Sequence, residues 1–237
     1  MTRPLFRTLL AEFLGSLFLA TLVIGSGIAA QRLSPNDVGL QLLENAAATA
    51  VGLYAIILIF GPVSGGHFNP VVSFVDAAFG GLPWRSFLTY VPTQVLGCVS
   101  GAVVANVLFD AAPISISTTE RATWAHGSSE VVATLGLLLV IFSLARSGRA
   151  ERTPAAVGAY IGAAYFFTSS TSFANPAITV GRVFSDSFAG IAPASVLPFV
   201  VAQAIAAVIA VPLLRGLYPN ASAHAEDVVL PHLEERP

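Results

Sequence analysis

The chain has 237 residues, of which 55% are hydrophobic and 10% are charged, and its formal net charge is −2. Soluble domains carry about 25% charged residues, so this composition predicts a membrane protein with several spans. The near-neutral charge argues against nucleic acid as a partner. Because Cys98 is the single cysteine, the sequence excludes an internal disulfide and a cysteine-based metal site.

Six apolar stretches approach the ~20 residues that a transmembrane helix needs. In chain order they cover residues 5–30, 38–61, 86–109, 128–146, 154–171 and 194–215. Small residues inside these stretches are typical of closely packed membrane helices. The glycines among them include Gly97, Gly101, Gly158 and Gly162.

Two further apolar segments, 64–80 and 170–185, are too short to cross a bilayer. Aligned on Asn-Pro, the sequence SGGHFNPVVSFVD of the first matches STSFANPAITVGR of the second. Each half of the chain also has one glutamate near its start, Glu12 and Glu130. The unit of three spans and one short segment occurs twice. Because three spans end on the other side of the membrane, the two copies run in opposite directions and form an inverted repeat.

The repeat predicts four units along the chain. They are a first repeat at 1–110, an outer connecting loop at 111–127, a second repeat at 128–215 and a cytoplasmic tail at 216–237. Most arginines fall on one side of six alternating spans, and positively charged loops stay inside the cell. The sequence therefore predicts a multi-pass protein of the plasma (inner) membrane with both termini in the cytoplasm.

Each Asn-Pro pair has the composition of a helix start within the membrane. Asparagine is a strong N-cap, and proline fits the first helical turn because its missing N–H needs no partner there. Irregular backbone at this depth must be buried in protein or line a water-filled cavity. We therefore expect two half-helices that meet N-terminus to N-terminus, where their dipoles repel cations.

The groups around these two helix starts are candidates for the wall of a pore. Asparagine amides would donate hydrogen bonds, and carbonyls of the preceding extended backbone would accept them. Such a thin polar stripe on an apolar wall suits small neutral solutes. The motif residues are Asn69, Pro70, Val71, Asn175, Pro176 and Ala177, and the preceding residues include Gly65, Gly66, His67 and Ser172.

The sequences GGHFNPVVS, FANPAIT, AEFLG and SEVVATLGLLL resemble the aquaporin (major intrinsic protein) family over nearly the whole chain. The resemblance implies an all-α membrane protein with six transmembrane helices and two re-entrant half-helices. It also implies a passive channel in a lipid bilayer, a homotetramer, no cofactor, no metal and no enzymatic activity. In such a fold Glu12 and Glu130 would accept hydrogen bonds from the loop backbones. Val71 departs from the alanine that is usual at this position.

The family's selectivity filter usually has an arginine three residues after the second asparagine, and here that residue is Ile178. The resemblance places the other filter positions at Thr49, Ala163 and Ser172. These small residues imply a wide filter without a charge. Arg182 follows Ile178 by one helical turn. Its guanidinium either reaches back over the vestibule or stays at the C-terminus of the half-helix and points away.

A narrower resemblance concerns a bacterial subgroup that is associated with arsenic resistance and has an aliphatic residue at the filter arginine. It implies passage of water, glycerol-like solutes and neutral metalloids such as arsenite, extending to methylated arsenicals. A water-selective aquaporin and a gradient-coupled secondary transporter are the alternatives. The sequence has no nucleophile–base pair, metal-ligand cluster or phosphate loop that would indicate an enzyme.

Overall fold

The computed structural model describes residues 5–219, and all regular elements in this range are helical. Eight α-helices follow one another: α1 (Leu5–Leu33), α2 (Val38–Ser64), α3 (Pro70–Phe79), α4 (Trp84–Leu108), α5 (Trp124–Arg146), α6 (Thr153–Phe167), α7 (Pro176–Gly181) and α8 (Pro193–Leu217). The six predicted spans agree with α1, α2, α4, α5, α6 and α8 to within four residues at each boundary. Most of the predicted tail at 216–237 lies outside the described residues.

Two short helices, α3 and α7, begin at the prolines of the two Asn-Pro pairs and run in opposite directions. The end of α3 lies beside the end of α8, where Nη2 of Arg215 donates to the carbonyl of Ala78 at 3.2 Å. The segment after α7 lies beside the end of α4, where Nδ2 of Asn106 donates to the carbonyl of Phe184 at 2.9 Å. We call the end of the bundle at Leu5 and Leu217 the terminal end and the opposite end the loop end.

Five of the helices, α1, α2, α4, α5 and α8, are long and apolar enough to cross a membrane. The remaining predicted span is shorter, because α6 has 15 residues. A three-residue 3-10 turn, Ala150–Arg152, precedes α6 directly. At about 1.5 Å and 2.0 Å of rise per residue, the two together reach roughly 28 Å, close to the ~30 Å of a bilayer core.

Glycines let the long helices pack closely, as the sequence predicts. A Cβ atom added at Gly101 of α4 would lie 2.3 Å from the carbonyl oxygen of Leu17 in α1. One added at Gly158 of α6 would lie 2.5 Å from the carbonyl oxygen of Ala50 in α2. The backbones of these helix pairs are therefore in contact, which brings the elements around the two half-helices close together.

Candidate functional site

The two half-helices begin at capping asparagines near the centre of the molecule. Asn69 has extended backbone angles, and its Oδ1 accepts a hydrogen bond from the N–H of Val71 at 3.1 Å. Asn175 accepts from the N–H groups of Ala177 at 2.9 Å and Ile178 at 3.3 Å. The helix starts predicted from Asn-Pro are thus present, with the positive ends of both helix dipoles at the asparagines.

The two asparagines also tie the two loops together. Nδ2 of Asn69 donates to the carbonyl of Ala174 at 2.8 Å, and Nδ2 of Asn175 donates to the carbonyl of Phe68 at 2.7 Å. Each amide group has a second N–H, which has no hydrogen-bond partner among residues 5–219. One donor of each asparagine therefore holds the loops, and one is left for a molecule between them.

Glu12 of α1 supports the first loop from behind. Its carboxylate is fully buried and accepts from the backbone N–H groups of His67 at 3.0 Å and Phe68 at 2.8 Å. It also accepts from the hydroxyl of Ser64 at 2.6 Å and from Nε2 of Gln94 at 2.7 Å. Phe68 has a φ of 49°, which is unfavourable for a non-glycine residue, so these bonds stabilise a strained backbone.

Glu130 of α5 supports the second loop in the same way. It accepts from the N–H groups of Phe173 at 2.9 Å and Ala174 at 2.8 Å, and from Nε2 of Gln203 at 2.6 Å. Gln203 also donates to the hydroxyl of Thr179 at 3.0 Å, just as Gln94 donates to Ser73 in the other half. The geometry is that of the loop-bracing arrangement implied by the resemblance.

A cavity of about 70 Å³ runs past both asparagines. Several residues selected from the sequence line it: Thr49, Gly66, His67, Asn69, Ser172, Asn175, Ile178 and Arg182. Others are not part of its wall: Gly65, Pro70, Val71, Ala163, Pro176 and Ala177. Much of the remaining wall is aliphatic, including Leu19, Val23, Leu137 and Ile141.

The placement of Ala163 in the filter is wrong. Its side chain is exposed on the outer surface of α6, whereas Tyr165 is buried and lines the cavity. Two residues along a helix correspond to about 200° of rotation, which moves a side chain to nearly the opposite face. The hydroxyl of Tyr165 lies 3.2 Å from Oγ1 of Thr49. A buried tyrosine needs such a partner, and this need was the available signal for Tyr165.

The terminal-end side of the cavity contains a histidine beside a buried carboxylate. Nδ1 of His67 lies 2.9 Å from the hydroxyl of Ser73, and Nε2 lies 3.4 Å from Oδ2 of Asp76. Asp76 makes no ion pair with Arg85, which is exposed and has no carboxylate within 4.0 Å of its side chain in the described part of the chain. The half-helix α3 instead directs Asp76 toward the loop that precedes it.

Arg182 lies at the loop-end side of the cavity and not away from it. The residue is 2% exposed, and its Cζ lies 3.4 Å from the centroid of the Phe173 ring. Its Nε donates to the carbonyl of Ala189. Ile178, one turn earlier, lines the same cavity. The cavity wall therefore contains an arginine, which was one of the two alternatives for Arg182, and aromatic rings, which the filter positions taken from the resemblance did not include.

The comparisons with known proteins agree with this architecture. The family model of the major intrinsic proteins matches residues 1–173. The chain belongs to the major intrinsic protein family. It is 44% identical over 211 residues to aquaglyceroporin AqpS of Rhizobium meliloti (strain 1021), which covers 89% of this chain and 90% of AqpS. It is 32% identical over 184 residues to aquaporin NIP1-3 of Oryza sativa subsp. japonica, across 73% of this chain and 61% of that protein.

A solved structure shows the same fold as this major intrinsic protein. The aquaglyceroporin from Plasmodium falciparum superposes with a TM-score of 0.68, covering 92% of this chain and 96% of that chain at 20% identity. The chain accordingly has the aquaporin fold. As a member of the family it is a passive membrane channel for small solutes and not an enzyme. This conclusion decides against the gradient-coupled transporter that the inverted repeat alone left open.

Proposed function

We propose that this channel conducts uncharged, hydroxyl-rich solutes of about the size of glycerol as well as water. Neutral metalloid hydroxides such as arsenous acid, and their methylated forms, belong to the same class. The observation that carries the proposal is Ile178, which lines the cavity at the position where the family's filter usually has an arginine. Its relative AqpS is named an aquaglyceroporin, which supports a solute range beyond water.

The cavity wall beside Ile178 has both apolar and polar groups. Ile178 contributes an aliphatic face, while Thr49 and Tyr165 contribute a pair of hydroxyls 3.2 Å apart. The hydroxyl of Ser172 is buried on the same wall and has no hydrogen-bond partner within residues 5–219. A polyol or a metalloid hydroxide presents hydroxyls to such polar groups and a less polar surface to the aliphatic face. Water gains nothing from the aliphatic face, so the wall favours the larger solutes relative to water.

The centre of the channel supplies a barrier to cations. Each half-helix presents the equivalent of roughly half a positive charge at its N-terminus. The free N–H groups of Asn69 and Asn175 add two donors at the same level. A neutral oxygen can accept these bonds in passing, whereas a cation loses its hydration and meets positive potential.

The test is solute uptake by proteoliposomes that contain the purified channel. Stopped-flow scattering should show entry of water, glycerol and arsenous acid through the wild type. We expect Ile178→Arg to slow the entry of glycerol and arsenous acid by about tenfold or more while water still enters. The guanidinium narrows the channel at this position and replaces an aliphatic part of its wall by a polar one. Ile178→Val is the matched control and should keep all three fluxes. A wild type that admits water alone would establish the water-selective alternative.

We further propose a homotetramer in the plasma membrane with the terminal end in the cytoplasm. The excess of arginines on that side supports the orientation. The native Cys98 is buried, so a single introduced cysteine can report sidedness. Arg149→Cys should react with an impermeant maleimide only after the cells are opened, and native mass spectrometry of the purified protein should give four subunits. Labelling of Arg149→Cys in intact cells would show that the terminal end is outside the cell.

A further inference from the structure

Arg182 is a buried cation whose terminal donors are unused by the protein. A guanidinium has five N–H donors, of which the single one on Nε binds the carbonyl of Ala189. The two terminal nitrogens have no acceptor within the described residues, although Arg182 is only 2% exposed. No carboxylate lies within 4.0 Å of its nitrogens in that part of the chain. The side chain thus brings an unneutralised charge and free donors to the cavity wall.

The position of this guanidinium is determined by the ring of Phe173. Cζ of Arg182 lies 3.4 Å from the ring centroid, which is a close cation–π contact. Phe173 is itself held in place, because its N–H donates to Glu130 and its ring packs edge-on against Phe199 with centroids 5.0 Å apart. The loop brace therefore also positions the arginine.

A second arginine approaches the same ring from the loop end. Cζ of Arg121 lies 5.3 Å from the centroid of Phe173. Its Nε and Nη2 donate to the carbonyls of Gly190 at 2.8 Å and Phe188 at 3.2 Å. Burial in this connecting loop lowers the pKa of Arg121 from its ordinary value. Three consecutive carbonyls, at 188–190, therefore hold the two guanidinium groups next to one aromatic ring.

We propose that Arg182 is the specificity-determining cation of the filter, taking over from one helical turn further along the role of the arginine that Ile178 replaces. Phe173 and Arg121 are positioning residues. This inference rests on the proposed function and deepens it. The free donors of Arg182 bind the oxygen atoms of a passing neutral solute, and its charge repels cations at the loop end. Ile178, one helical turn away, meanwhile leaves its own part of the wall aliphatic, so the channel is charged without a second long side chain at the usual filter position.

The two positive regions act at different depths of the channel. The half-helix termini repel cations at the asparagines, and Arg182 repels them at the loop-end side of the cavity. In a low-dielectric wall a fixed charge acts strongly, because little water screens it. Removal of the Arg182 charge should therefore increase cation leak even though the asparagines are intact.

The experiment compares Arg182→Gln and Arg182→Leu with wild type in proteoliposomes. Arg149→Gln is the matched control, since Arg149 is exposed at the terminal end and is not part of the cavity wall. Potassium and proton leak are followed with fluorescent dyes under an imposed potential, and glycerol entry with stopped-flow scattering. We expect both Arg182 variants to leak cations about tenfold or more faster than the control. Arg182→Gln, which keeps donors, should retain more glycerol entry than Arg182→Leu.

Two additional variants keep the test decisive if the leucine variant folds poorly. Arg182→Lys retains the charge, so its leak should stay close to that of wild type. Adding Ile178→Arg to Arg182→Gln returns a charge to the usual filter position and should suppress the leak again, which a merely structural role would not predict. Correctly folded Arg182 variants with wild-type leak and wild-type glycerol entry would overturn the inference. A wild type that does not admit glycerol would instead overturn the proposed function, independently of the leak.

Discussion

Glu130→Gln is the substitution that most directly tests how the second half-helix is held. The variant keeps the size and shape of the side chain and removes its charge. In the wild type the carboxylate accepts from two adjacent backbone N–H groups, those of Phe173 and Ala174, and from the amide of Gln203. A glutamine amide has one acceptor oxygen and one NH2 group. The NH2 group must therefore replace one of the two carboxylate oxygens and face an N–H donor.

The expected cost follows from these three bonds. One buried backbone N–H loses its acceptor, which costs about 1–3 kcal/mol. The bonds that remain go to a neutral oxygen instead of a carboxylate, and each becomes weaker by about 1 kcal/mol. Glu130 is fully buried, so water cannot replace the lost acceptor. The free energy of unfolding should therefore decrease by about 3–5 kcal/mol.

The same change should also reduce permeability per folded channel. The carbonyl of Ala174 accepts from Nδ2 of Asn69, so a shift of the Ala174 backbone moves a contact between the two loops. Ala174 has a φ of 48°, which is strained for a non-glycine residue. We expect this angle to change when the loop is held less firmly. Unfolding of the detergent-solubilised protein measures the first effect, and water entry into proteoliposomes, normalised to folded protein, measures the second.

Glu44→Gln is the matched control for this experiment. Glu44 is partly exposed and accepts one hydrogen bond, from the hydroxyl of Ser34 at 2.9 Å, while its other oxygen has no partner within residues 5–219. Its substitution should change stability by less than about 1 kcal/mol. If Glu130→Gln changed stability and water entry as little as Glu44→Gln does, the bracing role of Glu130 would be refuted.

Two further predictions concern packing and the cavity wall. Gly101→Ala should destabilise the protein by about 1–3 kcal/mol, because the added Cβ would lie 2.3 Å from a backbone oxygen of α1. Gly127→Ala, where a Cβ meets nothing within 4 Å, should leave the unfolding midpoint unchanged or higher, and equal losses in both would contradict this account. Tyr165→Phe removes the hydroxyl beside Thr49 and should slow glycerol entry by about fivefold with little change in stability. Unchanged glycerol entry would show that this hydroxyl does not contact the solute.

The amino-acid sequence was sufficient for the parts of this channel that depend on local chemistry. Asn-Pro predicts a capped helix start wherever the chain places it, and two such pairs in an inverted repeat predict half-helices that meet. An intramembrane carboxylate needs a partner, and the resemblance to the family names the loop backbones as the partners of Glu12 and Glu130. The structure contains each of these arrangements.

The rest of the cavity wall was decided only by tertiary structure. The helix α6 is apolar on all sides, so periodicity could not show that Tyr165 and not Ala163 faces inward. The position of Arg182 depends on the ring of Phe173 and on the carbonyl of Ala189. Both groups lie outside the helical turn that contains Arg182. Sequence spacing determines which residues share a helix face, but the rotation of each helix and the torsions of long side chains are set by the neighbours they pack against.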